Sequence, residues 1–290
     1  NSKLNIADYL CGYDELLKAF EFDGWHLFSQ RTLSGPNWKT AYDGYLDFYH
    51  LPVLHANTFG SDFYNRANYF AFGPHQRLST PSRLAGLAFA HAKVASLAPD
   101  DPRHAEINDW LAGRMKASMT FFDKDAPPRA SKNNLRAWAA LAAARIGLSA
   151  KDDAMTEWAA DSVRRVACQA EPSGALPLEM WRGNLALHYQ IHAIGPLAVT
   201  AALLPDANLF EECDRAIPRI AGFIARAIDD PSIVQDITGK KQKYGPPEPH
   251  EFAWTAAYLS QLDDPEIEAL AKRFDRQGNS KLGGDQSLLW

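Results

Sequence analysis

Long apolar runs are missing from this chain. No stretch reaches the eighteen or so uncharged residues that a membrane-spanning helix needs, so no membrane span is expected. Cysteine is scarce. Cys11, Cys168 and Cys213 are far apart and match no metal-ligand spacing, and an odd count argues against a disulfide framework, leaving room for one bridge and one free thiol. No metal and no cofactor are expected. An excess of positive charge is missing too: 30 Lys and Arg face 35 Asp and Glu, for a net charge of −5. That balance points away from nucleic acid, and any polyanionic ligand must be met by local basic groups in a cleft. Nor is there a basic-then-apolar leader or a Met before Asn1; a removed signal peptide and a trimmed chain explain such a start equally.

What remains is ordinary globular material, 46% hydrophobic and 22% charged over 290 residues, with enough length for a large core. From about residue 80 onward apolar residues recur at three- and four-residue spacing, and no strand-like alternation competes. Thr80-Pro81 reads as a helix opening, cap followed by proline at the first position, for a run to about Leu97. Further runs are expected from about Arg103 to Phe122, from Lys132 to Ile146 behind a Ser131 cap and ahead of Gly147, and from Asp153 to Ala170. Others follow at about Leu185–Leu204, Asn208–Ala227, 251–262 and 264–274. Helices joined by short turns of Pro, Gly, Ser and Asp read as antiparallel hairpins recurring every fifty residues or so. The pattern predicts an all-α fold, an α/α toroid or partial α/α barrel, with an open helical solenoid as the alternative; one domain is expected over 1–290.

Residues 1–75 differ. They hold Trp25, Trp38, Tyr42, Tyr45, Phe59, Phe63, Tyr64, Tyr69, Phe70 and Phe72, interleaved with His50, His55 and His75. Part of this is core. The density around 59–72, outside a helical period, equally suits loops that stack on sugar faces. Arg66, Arg77 and Arg83 lie where acids are sparse, and Lys240, Lys241 and Lys243 form a second basic cluster.

Three later segments belong together. The first is Lys132-Asn133-Asn134-Leu135-Arg136-Ala137-Trp138. The second is Gly174-Ala175-Leu176-Pro177-Leu178-Glu179, continuing through Arg182 to His188-Tyr189. The third is Phe252-Ala253-Trp254 with Leu282-Gly283-Gly284-Asp285 downstream. In this order and at these separations they resemble the alginate lyase superfamily, helical-toroid polysaccharide lyases acting on alginate and related polyuronates. The resemblance is good over roughly 130–205, loose toward the C-terminus, and does not reach 1–75. It implies a catalytic set of Asn134, Arg182 and Tyr189, an anionic polysaccharide as partner, and a periplasmic or secreted location. The histidine that the family carries after the asparagine is Leu135 here.

That departure has chemical content. Elimination across C4–C5 of a uronate removes a proton α to a carboxylate, so groups that neutralise the carboxylate, such as Arg182 and Asn134, stabilise the enolate-like transition state. A base near C5 and an acid near the glycosidic oxygen complete the chemistry. With Leu135 in place of histidine, Tyr189 has to serve as both, which requires proton and leaving oxygen on one face. β-1,4-linked glucuronate and mannuronate meet that condition by syn elimination; guluronate, inverted at C5, does not. A free tyrosine titrates near pH ~10, so its base form needs cations nearby, with Arg182, His188 or His192 as candidates. Substrate-binding candidates are His192, His188, Asn133, Arg66, Tyr69, His75, Arg77 and Trp138. His188 and His192 stand four apart, but a metal there has no evident third ligand. The other readings are an α/α-barrel glycoside hydrolase using carboxylates such as Glu179, Asp285 and Asp62, and a non-catalytic polyuronate-binding relative.

Overall fold

In a computed structural model the chain divides into two compact units, Asn1–Thr80 and Pro81–Trp290. The structure describes residues 83–274 and 278–290, and within the first unit residues 5–10, 13–18, 21, 24–26, 30, 37, 68–72 and 75–79. The first unit contains the short helices α1 (Ile6–Leu10) and α2 (Tyr13–Lys18) and an antiparallel hairpin, β1 (Asn68–Phe72) with β2 (His75–Ser79), in which Tyr69 faces Leu78 and Phe72 faces His75 across the ladder. Part of the aromatic segment 59–72 is therefore a strand.

The second unit is helical, with α3 (Leu84–Leu97), α4 (Arg103–Thr120), α5 (Asn134–Ala150), α6 (Asp153–Ala167), α7 (Pro177–Met180), α8 (Ala186–Leu203), α9 (Glu212–Asp229), α10 (Ser232–Thr238), α11 (Trp254–Leu259) and α12 (Pro265–Arg273). A short ladder, β3 (Gly278–Asn279) with β4 (Gly284–Asp285), lies near the end. This is the α/α toroid expected from the pattern of helical runs. Helices α5 and α8 are central: α5 packs on α3, α4, α6 and α8, and α8 on α5, α6, α9 and α11.

The sequence explains that centrality. From Ala137 to Ala144, six of eight side chains on α5 are methyl groups, and all eight are buried. Short side chains let neighbouring backbones approach, so dispersion contacts are made on all sides of the helix rather than on one stripe. Gly147 continues this: a Cβ there would lie 2.9 Å from Thr156 Cγ2 and 3.0 Å from Met155 Cβ. The sequence reading ended the helix at Gly147, but α5 runs through it to a left-handed cap at Lys151. Capping also differs at the other end. Asn133, not Ser131, caps α5, its side chain accepting from the Leu135 N–H. At α3 the capping position is Arg83, without a side-chain cap bond.

Two expected boundaries shift for backbone reasons. Helix α4 ends in a π-helical turn, Phe121–Asp125, closed before Ala126-Pro127-Pro128. Cys213, Asp214 and Arg215 all have φ near +55°, in the left-handed region, so regular helix in α9 starts only at Ala216. Cys213 is bonded there to Cys168 at the end of α6. This is the single bridge that three cysteines left room for. No helix among the described residues is long and apolar enough to cross a membrane.

Candidate active site

Helices α5 and α8 meet near their N-termini, where the polar residues of both collect. Asn134 opens α5 and is 1% exposed. Its backbone N–H donates to Glu179 Oε1 at 2.9 Å, and its amide Nδ2 donates to Oε1 at 3.1 Å and Oε2 at 2.9 Å. Glu179 is itself buried, on the single turn of α7. Burial pushes its carboxyl above the usual range, against the pull of the Asn134 donors and the Arg182 charge. Leu135, at the position of the family histidine, is 46% exposed beside this buried pair.

The Glu179 segment is held by glutamine. Gln190, fully buried on α8, accepts from the Leu176 N–H at 3.0 Å and donates to the Gly174 carbonyl at 2.8 Å. Gly174 has φ +95°, and a Cβ would fall 2.0 Å from the Arg219 carbonyl oxygen, so only glycine fits this turn. Three residues after Glu179, the Arg182 guanidinium lies over the Tyr189 ring, 4.2 Å from its centroid. Between them runs a 3-10 turn, Gly183–Leu185. Gln242 clamps that turn, accepting from the Leu187 N–H at 3.0 Å and donating to the Gly183 carbonyl at 3.0 Å, while the Lys243 N–H donates to the Asn184 carbonyl at 2.7 Å. The lysine cluster 240–243 is thus docked against the turn that follows Arg182.

Tyr189 belongs to a ring cluster on the first turns of α8. It meets His188 edge-on at 5.3 Å and His192 edge-on at 6.4 Å, and the two imidazoles are parallel at 6.2 Å. The i, i+3 and i, i+4 spacings of a helix put these rings together. His188 Nδ1 lies 3.7 Å from Glu251 Oε1. Burial pushes the Glu251 carboxyl up, but the nearby His188 imidazole and hydrogen bonds from the Glu248 N–H and the Tyr244 hydroxyl outweigh it and leave the group below its ordinary value. Burial together with Glu251 raises the Tyr244 phenol strongly, so that hydroxyl stays a donor. His192 is pulled down to about 3 by burial, helped by Lys281 and His188, and is neutral through the working range of pH.

Trp138, one helical turn beyond Asn134 on α5, packs on His192 with centroids 5.0 Å apart. Lys281 stands near it, its ammonium 5.4 Å from the Trp138 ring centroid. Burial lowers the Lys281 pKa, as does the neighbouring charge of Arg83. Two close approaches put Lys281 there: a Cβ on Gly86 would lie 2.4 Å from the Ser280 carbonyl oxygen, and one on Gly283, at φ +99°, would lie 2.5 Å from Phe89 Cβ.

Of the residues singled out from the sequence, Asn134, Arg182, Tyr189, His188, His192 and Trp138 are brought into one connected cluster. Asn133 is 5% exposed, with its side-chain oxygen used as the α5 cap. Arg66 lies outside the described residues, as do the side chains of Tyr69, His75 and Arg77. Sequence reasoning missed Glu251, Tyr244, Gln242 and Lys281, which lie far along the chain from α5 and α8. Glu179 was weighed only as a hydrolase carboxylate; its oxygens are taken up by Asn134. Asp285 is likewise engaged, accepting from Ser287, and Asp62 lies outside the described residues.

Comparison with known proteins gives a consistent picture for the helical unit. A family model described as alginate lyase matches residues 82–234, more than half of the chain. A second model, described as ring hydroxylating alpha subunit (catalytic domain), matches residues 22–123. A polysaccharide lyase of Stenotrophomonas maltophilia is 29% identical over 209 residues, 71% of this chain and 60% of that protein. An alginate lyase of Pseudomonas aeruginosa is 27% identical over 211 residues, 70% of this chain and 57% of that one. The chain therefore spans less than two thirds of the length of these relatives. Among solved structures, alginate lyase A1-III from Sphingomonas species A1 superposes with a TM-score of 0.62 at 17% identity, covering 91% of this chain and 81% of that one. A tyrosine-to-phenylalanine variant of alginate lyase A1-III complexed with a tetrasaccharide gives 0.60 at 20% identity, covering 72% and 62%. At such identities the likeness is one of fold.

Proposed function

We propose that this chain, which belongs to the alginate lyase family, cleaves a β-1,4-linked polyuronate by syn β-elimination and leaves an unsaturated uronate at the new non-reducing end. The substrate class is glucuronan or mannuronate-rich alginate. The observation that carries the reading is the placement of the Arg182 guanidinium over the Tyr189 ring, beside the Asn134–Glu179 pair and the exposed Leu135.

In this reading Arg182 neutralises the uronate carboxylate, lowering the barrier to removal of the α-proton. Tyr189 takes the C5 proton and then hands a proton to the departing O4, both on one face of the sugar. The positive charge against its ring offsets the negative charge that develops on its oxygen during the first transfer. His192, with its pKa pulled down to about 3, is a weak base and is given no proton-transfer role; it and the buried Trp138 back the ring cluster, and Lys281 adds a cation near Trp138. His188, tied to Glu251, holds its imidazole next to Tyr189. A periplasmic or secreted location belongs to the same proposal, and the Cys168–Cys213 bridge supports it, because such bridges persist in oxidising compartments.

The test is a three-substrate assay. Glucuronan, polymannuronate and polyguluronate are incubated with the protein and followed by ultraviolet absorbance of the unsaturated uronate. Product from the first or second, and little from polyguluronate, is expected. New reducing ends without that absorbance would mark a hydrolase instead, and no cleavage at all a binding protein.

A further inference from the structure

We propose that Glu179 is a positioning residue: an anionic clamp that holds the Asn134 amide in one orientation for the bound uronate. The inference rests on the lyase reading above and extends it to a residue that touches no substrate.

The geometry is unusual for a buried glutamate. Three donor contacts reach its two oxygens, all from one residue, Asn134, through backbone N–H and side-chain Nδ2. Asparagine is nearly symmetric in shape, so its amide oxygen and nitrogen can exchange places by a half-turn about χ2. A carboxylate next to it removes that freedom, because an ionised carboxylate accepts only. The nitrogen must face Glu179, and the second N–H and the oxygen of the amide are then set in fixed directions. Burying a carboxylate is costly unless its lone pairs are satisfied, and a purely structural tie to a helix start needs no charge: the Asn133 cap next door does that work with a neutral amide. The charge also faces Arg182, three residues on. One carboxylate thus fixes the Asn134 amide, and its charge lies toward Arg182 without an ion pair to it.

Glutamine is the discriminating replacement. Glu179→Gln keeps shape and one acceptor, but sets an N–H₂ where the second oxygen faces the Asn134 nitrogen. Misplacement of a catalytic contact by about 1 Å costs on the order of 100-fold in rate, so kcat is expected to fall about 10- to 100-fold with KM within about twofold. In an Asn134→Ala background the same glutamine substitution should change kcat less than about twofold, because there is no amide left to hold. A second readout needs no activity. In ¹H–¹⁵N spectra the Asn134 side-chain amide should be shifted and protected from exchange in the parent protein, and neither in Glu179→Gln with unchanged far-UV circular dichroism.

Full kcat in Glu179→Gln, an equal loss in both backgrounds, or an amide signature indifferent to the substitution would each overturn the proposal. Should Glu179→Gln not fold, Glu179→Asp takes its place: it keeps the charge and shortens the reach, and the same loss of kcat, confined to the Asn134 background, is expected. If the parent protein forms no unsaturated product from any polyuronate while the amide signature still depends on Glu179, the lyase reading falls and the clamp stands.

Discussion

Two buried polar side chains stand two residues apart on the first turn of α5, and they do opposite things. Asn134, 1% exposed, points at Glu179 and through it to Arg182. Arg136, 2% exposed, points away from Glu179. Its Nε donates to Ser162 Oγ at 2.9 Å, Nη1 to the Phe122 carbonyl at 3.2 Å and Nη2 to Asp123 Oδ1 at 2.7 Å, and its guanidinium stacks over Trp158 at 4.7 Å. Trp158 in turn donates to the other oxygen of Asp123. The network ties the π-helical turn after α4 to α5 and α6 and ends on Asp123, whose side chain is 43% exposed. The Asn134 cluster continues instead through Glu179 toward Arg182, Tyr189 and His188. Burial of a polar group alone therefore says nothing about function. What separates the two clusters is which groups each reaches: turns and helices of the frame for Arg136, the Arg182–Tyr189 pair for Asn134.

The comparison can be broken, and the largest effect should come from the Asn134 cluster. Tyr189→Phe is expected to lower kcat by about 1,000-fold or more, some 4 kcal/mol of transition-state stabilisation, with an unchanged thermal midpoint and polymer binding retained. Substantial residual elimination would remove Tyr189 from its role as base and acid. Next is Arg136→Leu, which takes the charged partner from Asp123 and leaves it only the Trp158 N–H. Losing one member of a buried pair costs about 3–5 kcal/mol, and the partial exposure of Asp123 places this one near the lower end, about 3 kcal/mol. Urea unfolding should show the loss while activity per folded molecule stays intact; a drop in that activity would erase the distinction between the clusters.

A smaller effect follows from His192. Its folded-state pKa, about 3, lies below that of an unfolded histidine, near ~6.5. The unfolded chain therefore binds a proton that the native protein refuses, and the stability this group contributes is present above pH ~6.5 and is lost as pH falls from there toward about 3. His192→Gln should flatten that decline in thermal midpoints measured from pH 7 to pH 4. An unaltered slope, or an imidazole that titrates by NMR near pH ~6.5 in the native protein, would contradict the buried neutral ring. Smallest of all is Asn133→Ala. Loss of an N-cap costs about 1 kcal/mol, and KM should not move. A raised KM would return Asn133 from helix cap to substrate contact.

How far these clusters can be read from sequence depends on the range of the contacts that make them. Local chemistry was legible. Helical spacing, the alanine run of α5 and the breakers Asp125-Ala126-Pro127-Pro128 place most helices to within a few residues, because each is set by neighbours in the chain. The His188–Tyr189–His192 face was legible for the same reason. Boundaries failed where a competing local group won: Asn133 caps α5 although Ser131 is an equally good cap by type, and α5 runs through Gly147 because α6 packs there. The pairing of Cys168 with Cys213, the clamp of Gln242 on the 183–187 turn and the approach of Lys281 to Trp138 had no local signal, since each joins residues 45 or more apart.

Legible in the sequence alone, then, were the helical class and the helix faces, since these rest on residue type and short spacing, while the family resemblance supplied Asn134, Arg182 and Tyr189 as the proposed catalytic set. Which buried polar residue joins that set and which ties the frame was decided only in the folded chain. Asn134 and Arg136 read alike in the sequence as polar residues at a helix start. Their fates diverge because a helix turns about 100° per residue, so side chains two apart leave on nearly opposite sides, and it is the toroid that sets Glu179 on one side and Asp123 with Ser162 on the other.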